Sequence, residues 1–251
     1  MHSMENKIKR LAIIPAYNEQ ENIGWIIKRI RELDQEIDVV VIDDGSSDST
    51  AYQAVQAGGK VIKHSCNMGY GVVLQTGYKY ALDRGYDYLI QLDGDGQHDP
   101  KYIEELFKVI IHEDVDLVLG SRFLQGDQGG KAGLQESKNS MARKLGIRLF
   151  SSLVSVLIGF KITDPTSGYQ ALNRRVIRFF ARDFFPYDYP DADVITMVHR
   201  AGFKIKELPM IMAVRETGAS MHSGLKPVYY VFKMFLSIFM TFIRKRPELI
   251  E

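Results

Sequence analysis

The chain has 251 residues, 45% of them apolar, and a formal net charge of +1. It can bury one full core plus an appendage, and it lacks the basic excess that nucleic-acid binding requires. Its one cysteine, Cys66, excludes an intramolecular disulfide and points to a reducing compartment. The polar, basic opening Met1–Arg10 does not read as a secretory leader, and no run reaches the roughly 20 apolar residues of a spanning helix, so the sequence reads as soluble or peripheral.

Leu11–Ile14 is a short apolar run ended by Pro15, the pattern of a strand buried on both faces. A loop follows, with Asn18 placed to cap a helix from Glu19 to about Leu33. Asp38–Asp43 is a second buried strand and stops at Asp43-Asp44-Gly45-Ser46-Ser47-Asp48, where Ser47 or Asp48 would cap a helix through Ala57. Lys60–Lys63 is a third strand, and the glycine loop Asn67–Gly71 leads into a helix to about Arg84. Tyr88–Leu92 is a fourth strand, running directly into Asp93-Gly94-Asp95-Gly96-Gln97-His98-Asp99-Pro100. Asp99 and Pro100 suit the N-cap and first turn of a helix to about His112, and Val115–Leu119 is the next strand. This alternation predicts an α/β doubly wound, mostly parallel sheet with helices on both faces.

Beyond Gly120-Ser121-Arg122 the pattern changes. Gln125–Ser137 reads as a mobile loop, and Ser140–Phe160 as a helix with a basic start and an apolar second half. Asp164–Gly168 is a turn; a helix from about Asp191 to Ala201, a strand Ile205–Pro209 and a polar loop Arg215–Ser220 follow. Pro227–Arg246 reads as an apolar C-terminal helix with one narrow polar stripe, Lys226, Lys233, Ser237, Thr241 and Arg244.

Asp93 and Asp95 stand two apart at a strand's carboxyl end. If the strand geometry continues they face one side, where hard oxygen ligands suit Mg²⁺ or Mn²⁺. Gln97 adds a neutral oxygen, and Gly94 and Gly96 let a large anion approach the backbone. Three acidic or glycine stretches at strand ends share one explanation, a diphosphate-linked nucleotide held through a metal, with Asp43 or Asp44 bonding the base or ribose. Neither G-x-x-x-x-G-K-[ST] nor G-x-G-x-x-G occurs, so phosphate contact would run through the metal, which favours a reaction in which the nucleoside diphosphate leaves. His222 is expected to be a third metal ligand or a diphosphate contact, His98 to face solvent, His64 to sit in the pocket or the core, and Cys66 to be a small buried filler.

Ile14–Glu19, Asp43–Asp48, Asn67-x-Gly-x-Gly71, Asp93-x-Asp-x-Gln97, Gly120–Arg122, Asp164-x-x-Ser-Gly168 and Arg215-x-x-Gly-x-Ser220 occur in order. Together, over roughly residues 8–222, they resemble the inverting family-2 glycosyltransferases of GT-A fold, in the branch similar to dolichyl-phosphate mannosyltransferase. The resemblance implies that Pro15, Tyr17, Glu19 and Asp44 line the nucleotide pocket, together with Gly69. It implies that Asp93, Asp95 and Gln97 hold diphosphate and metal, and that Arg122 and Ser167 face sugar or acceptor. Asp191 and Asp193 occupy the region of an acidic base, while Arg215, with Ser220 beside it, would grip a phosphate acceptor. Asp193 as a plain helix N-terminal acid is the competing reading. The last motif departs from the family, with Met221-His222 where Lys usually follows the serine.

The expected organisation is a transferase domain, 1–222, and a tail, 223–251, that packs on that domain, lies in a membrane interface or makes a protein contact, with a second copy or a membrane protein favoured. The expected reaction moves a monosaccharide from a nucleoside-diphosphate sugar to a polyprenyl phosphate or a growing cell-surface glycan at the cytoplasmic membrane face. The alternative is a non-catalytic sugar-nucleotide-binding or scaffold subunit recruited through the tail.

Overall fold

The computed structural model describes residues 7–124, 151–187, 190, 192–213, and positions 236, 237, 240, 241 and 243 of the tail. Among these, seven strands make one sheet: β1 (Arg10–Ala16), β2 (Asp38–Asp43), β3 (Lys60–Lys63), β4 (Tyr88–Gln91), β5 (Leu117–Ser121), β6 (Gln170–Asn173) and β7 (Ile205–Pro209). Their order is β3-β2-β1-β4-β6-β5-β7. The pairs β1–β2, β1–β4, β2–β3 and β5–β7 are parallel, and β6 runs against both β4 and β5. The beginning of β6, not its end, therefore lies beside the carboxyl ends of β4 and β5, with Gln170 level with Gln91 and Leu119.

The helices are α1 (Ile23–Leu33), α2 (Thr50–Gln56), α3 (Tyr70–Asp83), α4 (Ile103–His112, entered through a 3₁₀ turn at Pro100–Tyr102), α5 (helical over 151–158), α6 (Arg174–Phe180) and α7 (Ala192–Arg200). Side chains alternate across a strand, so each strand feeds two cores. Leu11, Ile13, Val40, Ile42, Leu89, Leu117, Leu119 and Leu172 pack with α3, α5, α6 and α7. Ala12, Ile14, Val39, Val41, Ile90, Val118 and Ala171 pack against α1 and α4. Burying each larger aliphatic side chain contributes about 1.5–3 kcal/mol, and the β-branched run Val39–Ile42 can use both faces only as a strand. The expected α/β sheet with helices on both faces is borne out.

Several local expectations need correction. Asn18 does not cap α1; it takes a left-handed conformation, φ 55°, and its Oδ1 accepts the Ser47 amide at 2.9 Å. The helix accordingly starts later, at Ile23. Asp48 does act at its helix, accepting from the Thr50 amide, and Asp99 caps the turn at Pro100 by accepting from Lys101. β6 and α6 were not anticipated. Asn173 joins them, its Oδ1 accepting the amides of Arg175 and Val176.

Asp116, just before β5, binds three partners from its buried position: Asn173 Nδ2 at 2.7 Å, Arg175 Nη1 at 2.9 Å and the Lys204 amide at 2.9 Å. It thereby ties β5 to the end of β6 and the approach to β7.

In the tail, Ser237 donates to Asp193 Oδ2 and Arg200 donates to the Thr241 carbonyl, while Leu236, Met240 and Ile243 are exposed. The rest of the expected Pro227–Arg246 helix, the Gln125–Ser137 stretch and residues 140–150 lie outside the described residues. Among the described residues no helix is long and apolar enough to cross a membrane.

Asp116→Ala should lower stability by about 2–3 kcal/mol, the scale of a lost charge-assisted hydrogen-bond set, with native secondary structure retained; urea unfolding followed by circular dichroism measures it.

Candidate active site

The parallel register sets the strand ends level. Ala16 pairs with Asp43, Ile13 with Gln91, and beyond β4 the Gly94 amide donates to the Pro15 carbonyl at 3.3 Å. Pro15–Glu19, Asp43–Asp48, Asp93–His98, Ser121–Arg122 and Asp164–Gly168 therefore collect along one edge. Chain order reverses between β1 and β4, the place where ligands of open α/β sheets bind.

The first two stretches are laced together. Asn18 N donates to Ser46 Oγ, Glu19 N to Thr50 Oγ1 and Gln20 N to Asp48 Oδ2. Burial pushes the Asp48 carboxyl up, but hydrogen bonds from Thr50 and Gln20 outweigh it and leave the group below its ordinary range. Tyr17 is left about half exposed on the rim, and Glu19 folds back to accept from Asn22 Nδ2.

Asp44, expected to line the nucleotide pocket, is committed elsewhere. Its Oδ1 accepts from the Met68 amide and from His64 Nδ1, its Oδ2 from the Gly69 amide, each at 2.9 Å. It is 4% exposed and holds the Asn67–Gly71 loop against the sheet. His64 is thus a brace rather than a core filler, with its Nε2 on Thr76 Oγ1. Asp43 differs: its Oδ1 accepts from Ser46 N, but its buried Oδ2 has no hydrogen-bond donor. The Lys63 ammonium stands 3.3 Å from that oxygen, a distance of ion pairing without hydrogen-bond alignment. Cys66 is exposed, not buried; its backbone abuts Gly45.

Asp93 is held from several sides. Tyr70 Oη donates to its Oδ1 at 2.8 Å, and its own amide donates to His98 Nδ1 at 2.9 Å. His98 does not face solvent; it is 4% exposed and stacks on Tyr169, ring centroids 5.0 Å apart. Burial pushes the Tyr169 hydroxyl pKa up, keeping it a neutral donor to the Asp99 carbonyl. A Cβ at Gly168 would lie 2.9 Å from Asp93 Oδ2 and 3.2 Å from Tyr70 Oη, so only glycine leaves room there. Asp95 Oδ1 accepts the Gln97 amide, and Gln97 pairs with Ala213 by backbone (2.9 Å) and side chain (3.4 Å). That pairing brings the exit of β7 to the acids.

Arg122 and Ser167, expected to face sugar or acceptor, both make contacts that hold the 164–168 turn to β5. Arg122 makes a bidentate bridge to the fully buried Asp164, with Nε to Oδ2 and Nη2 to Oδ1 both at 2.7 Å. Glu207 supports that turn by accepting the amides of Thr163 and Asp164; burial raises its carboxyl pKa against those opposing hydrogen bonds. Ser167 donates to the Gly120 carbonyl at 2.5 Å. Asp193 is 3% exposed, accepting from the Val194 amide and from Ser237, so this geometry supports the helix-terminal reading and not a base open to substrate. Asp191, Arg215, Ser220 and His222 lie outside the described residues.

Tyr70, His98, Gln91 and Gly168 were missed. Tyr70 and Gly168 stand inside quoted motifs, but their contacts depend on which strands adjoin. The strand geometry expected to align Asp93 with Asp95 does not continue, since β4 ends at Gln91 and the chain turns at Gly94–Asp95; what the pair offers is the hard oxygen donors that Mg²⁺ or Mn²⁺ takes. Among the described residues no three His, Cys, Asp or Glu side chains cluster, yet two carboxylates suffice for Mg²⁺ or Mn²⁺ when ligand phosphate oxygens complete the shell.

Comparison with known proteins agrees with the fold and gives the family. The family model for glycosyl transferase family 2 matches residues 11–180. An undecaprenyl-phosphate mannosyltransferase of Micrococcus luteus is 32% identical over 85% of this chain and 87% of its own. A polyprenol monophosphomannose synthase of Mycolicibacterium smegmatis is 30% identical over 86% and 82%. Among solved structures, glucosyl-3-phosphoglycerate synthase from Mycobacterium tuberculosis, in complex with Mn²⁺, UDP-glucose and phosphoglyceric acid, superposes with a TM-score of 0.67. It covers 94% of this chain and 80% of that one at 18% identity, a likeness of fold. The sheet is that of the GT-A fold.

Gly168→Ala displaces a side-chain tip rather than backbone, so unfolding free energy should stay within about 1 kcal/mol of wild type. Because the displaced tip is Asp93, calorimetric affinity for Mn²⁺ with UDP or GDP should fall about tenfold.

Proposed function

This chain belongs to glycosyl transferase family 2, and we propose that it transfers a monosaccharide from a nucleoside-diphosphate sugar to a polyprenyl phosphate with inversion at the anomeric carbon. The observation that carries this reading is Asp93 fixed on a rigid floor at the sheet's switch point, with Asp95 two residues on. The names of the Micrococcus and Mycolicibacterium relatives support the lipid acceptor.

In this reading Asp93 and Asp95 hold Mg²⁺ or Mn²⁺, with Gln97 beside them. When bound, the ion neutralises the charge that develops on the departing diphosphate. Asp43, fully buried and ion-paired with Lys63, sets the turn beneath the base or ribose through its hydrogen bond from the Ser46 amide. Tyr17 covers the nucleotide from the rim, with Pro15 and Glu19 shaping the floor beneath it. Asp44 and Gly69 act through the loop they pin.

An oxygen of the acceptor phosphate attacks the anomeric carbon from the face opposite the diphosphate. The new C–O bond forms as the old one breaks, and the leaving nucleotide takes the electron pair. An ionised phosphate has no proton to surrender, so no general base is needed, and the burial of Asp193 fits that economy. The acceptor does need a cation, and Arg215 supplies it, with Ser220 and His222 in the same segment. Ala213, the last described residue before Arg215, is bonded to Gln97.

A lipid acceptor requires work at a membrane surface, which we place at its cytoplasmic face. The exposed Leu236, Met240 and Ile243 support a peripheral attachment through the tail.

The test is a panel of nucleoside-diphosphate sugars with Mn²⁺ and a short-chain polyprenyl phosphate, with product configuration read by NMR. One donor should give the inverted glycosyl phosphate, and chelation should abolish turnover. Asp95→Ala should lower kcat/KM by about 100- to 1,000-fold, the range for losing one electrostatic stabiliser. Tight nucleotide binding without transfer in any combination would instead identify a binding subunit.

A further inference from the structure

We propose that Tyr70 is a positioning residue for Asp93, the last link of a one-way hydrogen-bond chain that begins in the core at Tyr78. The inference rests on the reading of Asp93 as a ligand for the ion and diphosphate, and it names the residue that makes Asp93 competent.

The chain runs Tyr78, Gln91, Tyr70, Asp93, and chemistry dictates each direction. Gln91 Oε1 can only accept, so the buried Tyr78 hydroxyl donates to it. Gln91 Nε2 can only donate, and Tyr70 Oη accepts it at 3.3 Å. The one Tyr70 proton then goes to Asp93 Oδ1, since an ionised carboxylate only accepts. The reverse amide orientation would set the Gln91 oxygen against a tyrosine oxygen whose proton is already directed to Asp93. All hydrogens therefore point from core to sheet edge, and such chains polarise each link in turn. Tyr78 is 1% exposed and burial drives its pKa upward, which keeps it protonated as the chain's first donor.

The position of Tyr70 is itself fixed. The next residue, Gly71, lies so close to the Pro186 carbonyl that an added Cβ would stand 2.2 Å from its oxygen. Gln75 Nε2 donates to the Arg182 carbonyl at 2.6 Å, clamping the same helix to the same segment. The first turns of α3 are wedged there, so the hydroxyl cannot retreat from Asp93. Asp93 Oδ2 faces His98 Nδ1 at 3.5 Å, but the Asp93 amide already engages that nitrogen. Oδ1 is thus oriented by Tyr70 while Oδ2 keeps its acceptor capacity. A carboxylate so oriented loses less side-chain freedom on capturing an ion.

Tyr70→Phe keeps the ring and deletes the donor. Mn²⁺ affinity, measured from the electron paramagnetic resonance of free Mn²⁺ in the presence of UDP or GDP, should fall about 10- to 100-fold with an unchanged unfolding midpoint. Gln91→Met should weaken Mn²⁺ binding in the wild-type background and have no further effect in Tyr70→Phe, because the chain reaches Asp93 only through that hydroxyl. A lowered unfolding midpoint with intact Mn²⁺ affinity would mark Tyr70 as merely structural and overturn the proposal. Asp93→Asn is the control. If it loses Mn²⁺ while Tyr70→Phe does not, only the positioning role fails; if it too keeps wild-type affinity, the assignment of the ion site fails with it.

Discussion

The parallel pairing of β1 with β2 on one side and β4 on the other sets the level of everything above it. Those main-chain hydrogen bonds place Ala16 beside Asp43 and the Pro15 carbonyl beneath Gly94. A slip of one residue in either ladder would exchange the faces of Leu11, Ile13, Val40 and Ile42 and lift the acids out of register. The two apolar cores enforce the pairing from both sides, so the geometry of the edge follows from burial.

On this base the carboxylates at the edge divide into two kinds. Asp44 and Asp164 are buried and Glu207 is partly buried; they serve as acceptors for backbone amides or, for Asp164, also a guanidinium, and hold loops down. Asp43 and Asp93 keep one oxygen whose acceptor capacity is not fully used. Desolvated acids are best tolerated when their oxygens are satisfied, so the first kind can be rigid; Asp43 leaves one buried oxygen to the Lys63 ion pair, while the part-exposed Asp93 can wait for a ligand.

Much of the fold was legible because strand signals were local: short β-branched runs ended by acids, glycines or Pro15. β6 was not, since four residues that read as part of a turn region become a strand only when β4 and β5 offer both edges. The motifs located the edge but could not sort its members. Whether Asp44 meets a ligand or pins Met68 and Gly69 is decided by a loop 24 to 25 residues downstream. The same holds for His98, which looked exposed beside an acidic run until Tyr169, from the approach to β6, came to cover it.

The crowding at Gly71 and Gly168 has a bearing on how such a chain can diverge. Neither site admits a methyl group without moving a carbonyl or an acid, so drift in the floor of the cleft is closed off. Variation is tolerated where side chains already reach into water, as at Tyr17 and Met68, both about half exposed. Descendants that come to prefer another sugar would therefore be expected to differ along this fringe while inheriting the bedrock unchanged.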